Sequence, residues 1–219
     1  MPNAKYEIFG FSDASKSAYA AIVYLKVISN GKITVHMLQA KSKVSPVKPI
    51  LTIPKLELNG ALLLSKLTVK VLKALKLKDV DVFLFTDSTD VLFWLSDHPA
   101  KWPMYIGNRC SQIHTLLPNA NWKHNCTDEN PADCASREVS VRQLLDLDLW
   151  WKGPRFIRIN DLQTKVNFNS HIENFQDSLQ QIQCFNLNCS KEKLPKIWDL
   201  LDRYSNIHPL FRITSYTFY

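Results

Sequence analysis

The first part of the chain alternates apolar segments with turn signals, a pattern that predicts strands. Residues 6–12 (YEIFGFS) alternate apolar and small side chains, and residues 18–28 form a near-continuous apolar run rich in β-branched and aromatic residues. The turn SNGK at 29–32 joins this run to a third segment, ITVHMLQAKSKV. Because Asn-Gly between two such runs is the strongest short hairpin signal, three antiparallel strands are expected to open the fold.

Beyond residue 50 the apolar spacing becomes helical, with one solid apolar run between helices. Thr52 or Ile53 precedes Pro54, and Pro is favoured in the first turn, so a helix is predicted over LELNGALLLSKLTVKVLKAL. Residues 81–87 (DVFLFTD) read as a central strand covered on both faces. The remaining predicted elements are a helix at 91–95, a helix at 106–117, a strand at 121–124 and a helix from about Pro131, which suits the first helical position.

This order of elements predicts an α/β fold with a mixed five-stranded sheet, three antiparallel strands followed by two parallel ones, and helices on both faces. The composition changes near Gly153, and residues 160–195 are rich in Asn, Gln and Ser, which bury too little to fold alone. We therefore expect a domain over residues 1–157 and a poorly structured connector over residues 158–219. The connector contains one predicted amphipathic helix, with apolar positions Ile197, Leu200, Leu201 and Tyr204.

Composition and charge narrow the class of protein. The 219 residues are 46% hydrophobic and 21% charged, as in globular proteins, which excludes disordered, collagenous and coiled-coil chains. We find no apolar run near the ~20 residues of a membrane span, and the start MPNAKYEIFG lacks a secretory-signal pattern. Five irregularly spaced cysteines favour reduced thiols in an intracellular protein, in a cytoplasmic particle or the nucleus. The net charge of +7 favours a polyanionic partner. Since no apolar run is long enough to span a bilayer, no membrane partner is expected.

Two acidic residues end predicted strands. Asp13 ends the first strand, and Asp87 ends the strand at 81–87. If these strands are parallel neighbours, both carboxylates emerge at the same sheet edge, which is where open α/β sheets bind ligands. Each residue alone has a simpler explanation, because Asp is favoured where a strand gives way to a turn or a helix N-cap.

Two further acids lie in first turns of predicted helices. Glu57 shares a helical face with the residues three, four and seven positions on, which are Gly60, Ala61 and Leu64. That face should meet the sheet, and a carboxylate directed at a core needs a cation or several donors. Asp133 occupies the first turn of the last predicted helix. For both acids, compensation of the helix dipole is the alternative explanation.

Carboxylates gathered at one edge would repel one another. At 4 Å, a like-charged pair costs on the order of 4 kcal/mol at an effective dielectric constant of 20. Oxygen ligands without an accompanying His or Cys cluster select Mg²⁺ or Mn²⁺ over zinc. Two such ions ~3.5–4 Å apart can clamp the attacking and leaving oxygens of a phosphoryl displacement. The sequence thus predicts two divalent ions and a catalytic, metal-binding set comprising Asp13, Glu57, Asp87 and Asp133.

Five motifs carry a resemblance to a known family: FSDASKSAYAAIVYL, TIPKLELNGALLLSKL, LFTDSTDVLFWL, WKHNCTDENPADCASR and LWWKGPRFI. In this order they resemble the ribonuclease H domain of BEL/Pao-type LTR retrotransposon polyproteins, over about residues 9–157. The resemblance implies an RNase H-like fold and hydrolysis of the RNA strand of an RNA–DNA hybrid. The metal-binding acids of the family pattern fall on Asp13, Glu57, Asp87 and Asp133.

The resemblance also has consequences outside the four acids. Glu138 stands where the family usually has Gly, and Asn125 stands where it often has Val. His124 becomes a candidate auxiliary residue for product release or water positioning, the alternative being a partly exposed histidine at a strand end. The segment DRYSNIHPLFRITSYTF resembles the stretch leading towards integrase. The family context therefore implies a polyprotein fragment with the reverse transcriptase and integrase regions as partners.

Candidate nucleic-acid contacts are Lys16, Lys41, Lys43 and Ser88. Lys16 lies beside Asp13, and Lys41 and Lys43 occupy alternating positions of a predicted strand, where they could neutralise phosphates. Two other functions stay open at this point. One is a catalytically inactive RNase H-like module, from a truncated or domesticated element, that binds nucleic acid or a polymerase partner. The other is a DNA-cutting nuclease or integrase on the same fold.

Overall fold

Three antiparallel strands open the fold, as the apolar pattern predicts. A computed structural model describes residues 4–137 and 139–159. In it, β1 (Lys5–Ala14), β2 (Ala18–Ser29) and β3 (Lys32–Val44) form a meander. The two turn residues between β2 and β3 have φ values of 50° and 72°, which Asn and Gly adopt readily. Local turn chemistry therefore sets this hairpin.

Two parallel strands complete the sheet on the other side of β1. β4 (Asp81–Thr86) pairs with β1, and β5 (Asn121–His124) pairs with β4, which gives the order β3-β2-β1-β4-β5. Ser12 lies opposite Thr86, and Thr86 lies opposite His124. The predicted mixed five-stranded sheet is confirmed. Its parallel strands end together at one edge, which is the edge that carries Asp13 and Asp87.

Helices cover both faces of this sheet. In the described residues they are α1 (Ile53–Leu75), α2 (Thr89–Leu95), α3 (Met104–Leu116), α4 (Asp133–Ser136), α5 (Val141–Leu145), α6 (Asp148–Lys152) and α7 (Arg155–Arg158). α1 begins after Thr52 with Pro54 in its first turn, as predicted, and buries Leu64 against Leu84 of the sheet. The opposite face packs against α4, α5, α6 and α7 through a core that includes Phe9, Phe11, Phe85, Trp150 and Phe156.

The predicted start of the last helix is wrong. Pro131 lies in a turn, and α4 begins two residues later and lasts only one turn. The reason is Asn130, whose Oδ1 accepts a hydrogen bond from the amide of Ala132 at 3.1 Å and whose Nδ2 donates to the carbonyl of Ser12 at 3.0 Å. This side chain stabilises a turn where a helix would otherwise begin, and it ties that turn to β1.

The chain after α4 runs through three short helices that the apolar pattern did not predict. The hydroxyl of Tyr24 donates to the carbonyl of Trp150 at 2.6 Å, which anchors α6 to β2. Glu138 and residues 160–219, with most of the predicted connector and its helix, lie outside the described residues, so the domain boundary at residue 157 stays a prediction. Within the described ranges, no helix combines the length and apolar character needed to cross a membrane.

Helix α3 approaches the short 3₁₀ turn Pro99–Lys101 at Gly107. A Cβ atom on Gly107 would lie 2.6 Å from the carbonyl oxygen of Pro99, and backbone cannot rotate aside. We expect Gly107→Ala to lower the free energy of unfolding by about 1–2 kcal/mol, although Ala is the better helix former. Asn108→Ala, at an exposed position of the same helix, is the matched control. Urea unfolding compares them, and a Gly107→Ala protein as stable as the control would contradict the close approach.

Candidate active site

Asp13 and Asp87 stand side by side at the edge where β1 and β4 end. Asp13 is the next-to-last residue of β1 and is only 4% exposed, and its Oδ2 accepts a hydrogen bond from the hydroxyl of Ser136. Asp87 follows β4 directly, and its Oδ2 accepts from Thr127 Oγ1 at 3.0 Å. Its Oδ1 is buried and has no hydrogen-bond partner among the described residues. The predicted pairing of these two carboxylates at one sheet edge is therefore what the fold produces.

Helix α1 brings Glu57 to the same edge. A Cβ atom on Gly60 would lie 3.1 Å from the carbonyl oxygen of Asp13, so the absence of a side chain there allows the helix to approach the strand closely. One turn earlier, Glu57 Oε2 accepts a hydrogen bond from Ser88 Oγ at 2.5 Å. Ser88 Oγ also accepts from the amide of Val91 at 3.3 Å, which caps α2. Ser88 thus ties Glu57 to the strand end that carries Asp87.

Asp133 is the first residue of α4, which the Asn130 side chain holds against β1. Asp133 Oδ1 lies 2.7 Å from Nε of Arg137, one turn later on the chain. Ser136, on the same short helix, donates to Asp13. One helical turn therefore supplies both an acid and a positioning hydroxyl to the site.

Burial and mutual repulsion raise the pKa values of the two most enclosed acids. Burial raises the pKa of Asp13 to about 6, with Asp87 adding to the increase and the hydrogen bond from Ser136 opposing it. Burial likewise raises the pKa of Glu57 to about 7, with Asp87 adding to it and the hydrogen bond from Ser88 opposing it. Both sites therefore hold a negative charge only at a cost in free energy.

The remaining acids belong to the same electrostatic group. Burial raises the pKa of Asp133, the neighbouring Arg137 lowers it, and Asp87 raises it further. Burial also raises the pKa of Asp90, and this carboxylate in turn raises the pKa of Glu57. Asp90 was not among the predicted residues, although its place three positions after Asp87 in TDSTD was visible in the sequence. The four predicted acids thus form one coupled cluster with Asp90 beside it.

The donor set suits a hard divalent cation. All four predicted ligands are carboxylates, and the buried Oδ1 of Asp87 has an unused lone pair. In the part of the chain that the structure describes, however, no group of three or more His, Cys, Asp or Glu side chains has the arrangement needed to hold a metal ion. Each carboxylate is engaged by a neighbouring donor instead, namely Ser136, Ser88, Thr127 and Arg137. The residues fit Mg²⁺ or Mn²⁺ by chemistry, and sharing an ion would require them to exchange these donors for it.

The other predicted residues are placed as follows. Ser88 joins the acid cluster, where its hydroxyl is committed to Glu57 and to the helix cap. His124 ends β5, opposite Thr86. Lys16 and Lys41 are exposed, on the β1–β2 turn and on β3. Lys43 lines a separate cavity. Their roles towards nucleic acid stay predictions.

Several residues of the site have only weak signals in the sequence. Ser136, Thr127 and Asn130 reach the acids or β1 through side-chain contacts that no local pattern encodes. Asn125 was noted only as a departure from the family pattern. Asn125 is 2% exposed. Its backbone amide donates to the carbonyl of Thr86 at 3.0 Å and its side-chain Nδ2 donates to the carbonyl of Glu129 at 2.8 Å, so it fixes the loop leading to α4.

A known family model matches the first part of the chain. Residues 1–88 match the Pao retrotransposon-like RNaseH-like domain. The predicted resemblance is confirmed over this range, which contains Asp13, Glu57 and Asp87 and ends before Asp133. The BEL assignment and the origin as a polyprotein fragment stay predictions. No curated protein matches the sequence.

Several solved structures resemble the chain at low identity. RNase H1 from the halophilic archaeon Halobacterium salinarum NRC-1 is 12% identical over 58% of this chain and 90% of that one, with a TM-score of 0.37. LC11-RNase H1 in complex with an RNA/DNA hybrid is 15% identical over 59% and 91%, with a TM-score of 0.39. The foamy viral protease-reverse transcriptase in complex with an RNA/DNA hybrid is 12% identical over 57% and 17%, with a TM-score of 0.33. The predicted RNase H-like fold class is confirmed by the strand order and the family match.

Proposed function

We propose that this chain is a retrotransposon-type ribonuclease H that hydrolyses the RNA strand of RNA–DNA hybrids with two Mg²⁺ or Mn²⁺ ions. The observation that supports it most is the coupled cluster of four carboxylates at the edge where β1 and β4 end. A group of acids that raise one another's pKa values at the end of parallel strands is typical of a functional site. The match of residues 1–88 to the Pao retrotransposon-like domain supports the substrate class.

In this proposal Asp13, Glu57, Asp87 and Asp133 hold the ions. When bound, two such ions supply an activated water and stabilise the departing 3′ oxygen. Ser88 and Ser136 are positioning residues, since their hydroxyls orient Glu57 and Asp13. His124 is the proposed auxiliary residue at the end of β5.

The exposed Lys16, Lys41 and Lys43 would neutralise phosphates of the hybrid, so the affinity for the hybrid should fall as the salt concentration rises. The domain would consist of residues 1–157. Its proposed partners are the reverse transcriptase and integrase regions of the parent polyprotein. Its proposed location is inside the cell.

A matched set of duplexes tests the proposal. We expect the purified chain to cut the RNA strand of a labelled RNA–DNA hybrid in Mg²⁺ or Mn²⁺, and to leave a DNA duplex and an RNA duplex of the same sequence intact. EDTA should stop the reaction, because the carboxylates alone cannot activate water. Cleavage of the DNA duplex would instead assign a DNA-cutting nuclease.

A second candidate is a catalytically inactive module that binds nucleic acid or a polymerase partner. It is favoured by the ion pair between Asp133 and Arg137, and by the absence, in the described ranges, of a preformed group of three metal-holding side chains. Saturable binding of the hybrid without turnover in either metal would select this candidate over the nuclease.

A further inference from the structure

A cavity lies on the other side of helix α1 from the acid cluster. It has a volume of about 320 Å³ and lies between the ends of β2 and β3, the loop at 45–52, and helices α1 and α3. Two prolines of the loop and three leucines form an apolar wall. Its polar lining residues are Tyr19, Lys43, Asn59, Lys66, Tyr105 and Arg109.

The helical spacing separates this cavity from the acids. Asn59, Leu62, Leu63 and Lys66 recur at the interval that places residues on one face of a helix, and all four line the cavity. Glu57 belongs to a different face, the one whose Gly60 contacts β1. Helix α1 therefore presents an acidic site on one face and this cavity on another.

Three lining residues of the cavity, Asn59, Tyr105 and Arg109, form a prearranged cluster. The guanidinium carbon of Arg109 lies 3.4 Å from the centroid of the Tyr105 ring, and its Nε donates to Asn59 Oδ1 at 2.6 Å. The Tyr105 hydroxyl donates to the same oxygen at 3.2 Å. The stacking and the shared acceptor hold the half-buried guanidinium in one orientation, so it loses little freedom when it binds a ligand.

The polar side chains of this lining offer a ligand donors and positive charge. Asn59 Oδ1 already accepts two hydrogen bonds, so the amide offers a ligand its N–H groups. Lys43, Lys66 and Arg109 carry positive charge, and burial raises the pKa of Tyr19 above its usual 10.0, so its hydroxyl stays neutral. No carboxylate lies among the cavity-lining residues of the described chain. Such a set of cations and N–H donors suits a phosphate group.

We propose that this cavity binds a nucleotide through a terminal phosphate. The phosphate would lie against Arg109, Lys43 and Lys66, and the base would lie against the apolar wall. The cavity is near the lower limit of small-molecule sites, roughly 300 Å³, which suits one nucleotide better than a duplex. The ligand is either a free nucleoside monophosphate or the 5′-phosphorylated end of a strand. The inference does not rest on the proposed nuclease activity.

The test is calorimetric titration of the full chain with AMP, without divalent ions, so that the acid cluster is not involved. We expect saturable binding of AMP and at least about tenfold weaker binding of adenosine, since the phosphate supplies charge-assisted hydrogen bonds. Arg109→Gln and Lys66→Gln should each weaken AMP binding by about tenfold. Lys73→Gln, with the same charge change at an exposed position of α1, should leave it unchanged.

Competition against AMP distinguishes the two sources of the phosphate. Displacement by a short single strand that carries a 5′-phosphate, and not by its unphosphorylated form, assigns the strand end as ligand. Displacement by neither strand assigns the free nucleotide. The proposal is overturned by lack of saturable AMP binding, by equal binding of adenosine, by equal competition from the unphosphorylated strand, or by equal losses in the Lys66 and Lys73 variants. None of these results affects the hybrid-cleavage assay, so the two proposals fail separately.

Discussion

Asp87→Asn is expected to lower the rate of metal-dependent cleavage of the RNA strand by roughly 10³-fold, while leaving the fold intact. Asp87 is the centre of the acid cluster, because its charge raises the pKa values of Asp13, Glu57 and Asp133. Its Oδ1 is buried and unpartnered among the described residues, so it is the atom most ready to accept a cation. The amide keeps the size of the side chain and its hydrogen bond from Thr127, and it removes the charge.

Asp90→Asn is the matched control for this variant. Asp90 lies three residues further along the chain, is partly buried and adds to the same electrostatic group, yet it is outside the predicted set of four. We expect it to lose less than about tenfold in cleavage rate. Circular dichroism and hybrid binding should match wild type for both variants. Unchanged cleavage by Asp87→Asn would refute the nuclease assignment, and equal losses in the two variants would refute the choice of the four acids.

Local sequence signals were sufficient to predict most of the sheet and the longest helix, α1. The Asn-Gly turn between β2 and β3 needs only the positive φ angles that these two residues tolerate. The start of α1 needs only Thr52 followed by Pro54. The parallel pairing of β1 with β4 could be stated only as a condition, because no residue in either strand encodes its partner.

Predictions failed where a distant contact decides the local structure. Pro131 is a good first residue for a helix, but the side chain of Asn130 reaches Ser12, 118 residues away, and stabilises a turn there. The acids were found because strand ends and first helical turns are readable from the sequence. Ser136 was not, because its contact with Asp13 spans 123 residues.

The cavity beside α1 also depends on contacts between residues that are distant in sequence. Asn59 and Arg109 come from helices that are distant in sequence, and each alone reads as an ordinary surface residue. Only their shared hydrogen bond, with Tyr105 stacked beneath the guanidinium, marks them as a cluster. Among the residues that line the cavity, only Lys43 was a candidate binding residue in the sequence analysis.

The acid cluster should also make the metal-free protein less stable as the pH rises. The pKa of Asp13 is about 6 in the folded state, against 3.8 for the ordinary side chain, so between these values the folded state binds more protons than the unfolded state. Stability therefore decreases as the pH rises through this window and stays low above it. Asp13→Asn removes this cost, and we expect it to raise the free energy of unfolding at pH 7.5 by up to about 3 kcal/mol.

Urea unfolding in EDTA at pH 4.5, 6 and 7.5 measures this effect, with Asp146→Asn as the control because its side chain is exposed and it lies at the end of α5. The gain from Asp13→Asn should be small at pH 4.5 and largest at pH 7.5, whereas the control should show no trend. Adding Mg²⁺ should then stabilise wild type more than Asp13→Asn, because a ligand that binds the folded state relieves the same repulsion. A wild-type protein whose stability rises between pH 4.5 and 7.5 in step with the variant would contradict the raised pKa of Asp13. The same acids would then no longer explain why this edge of the sheet should bind a cation.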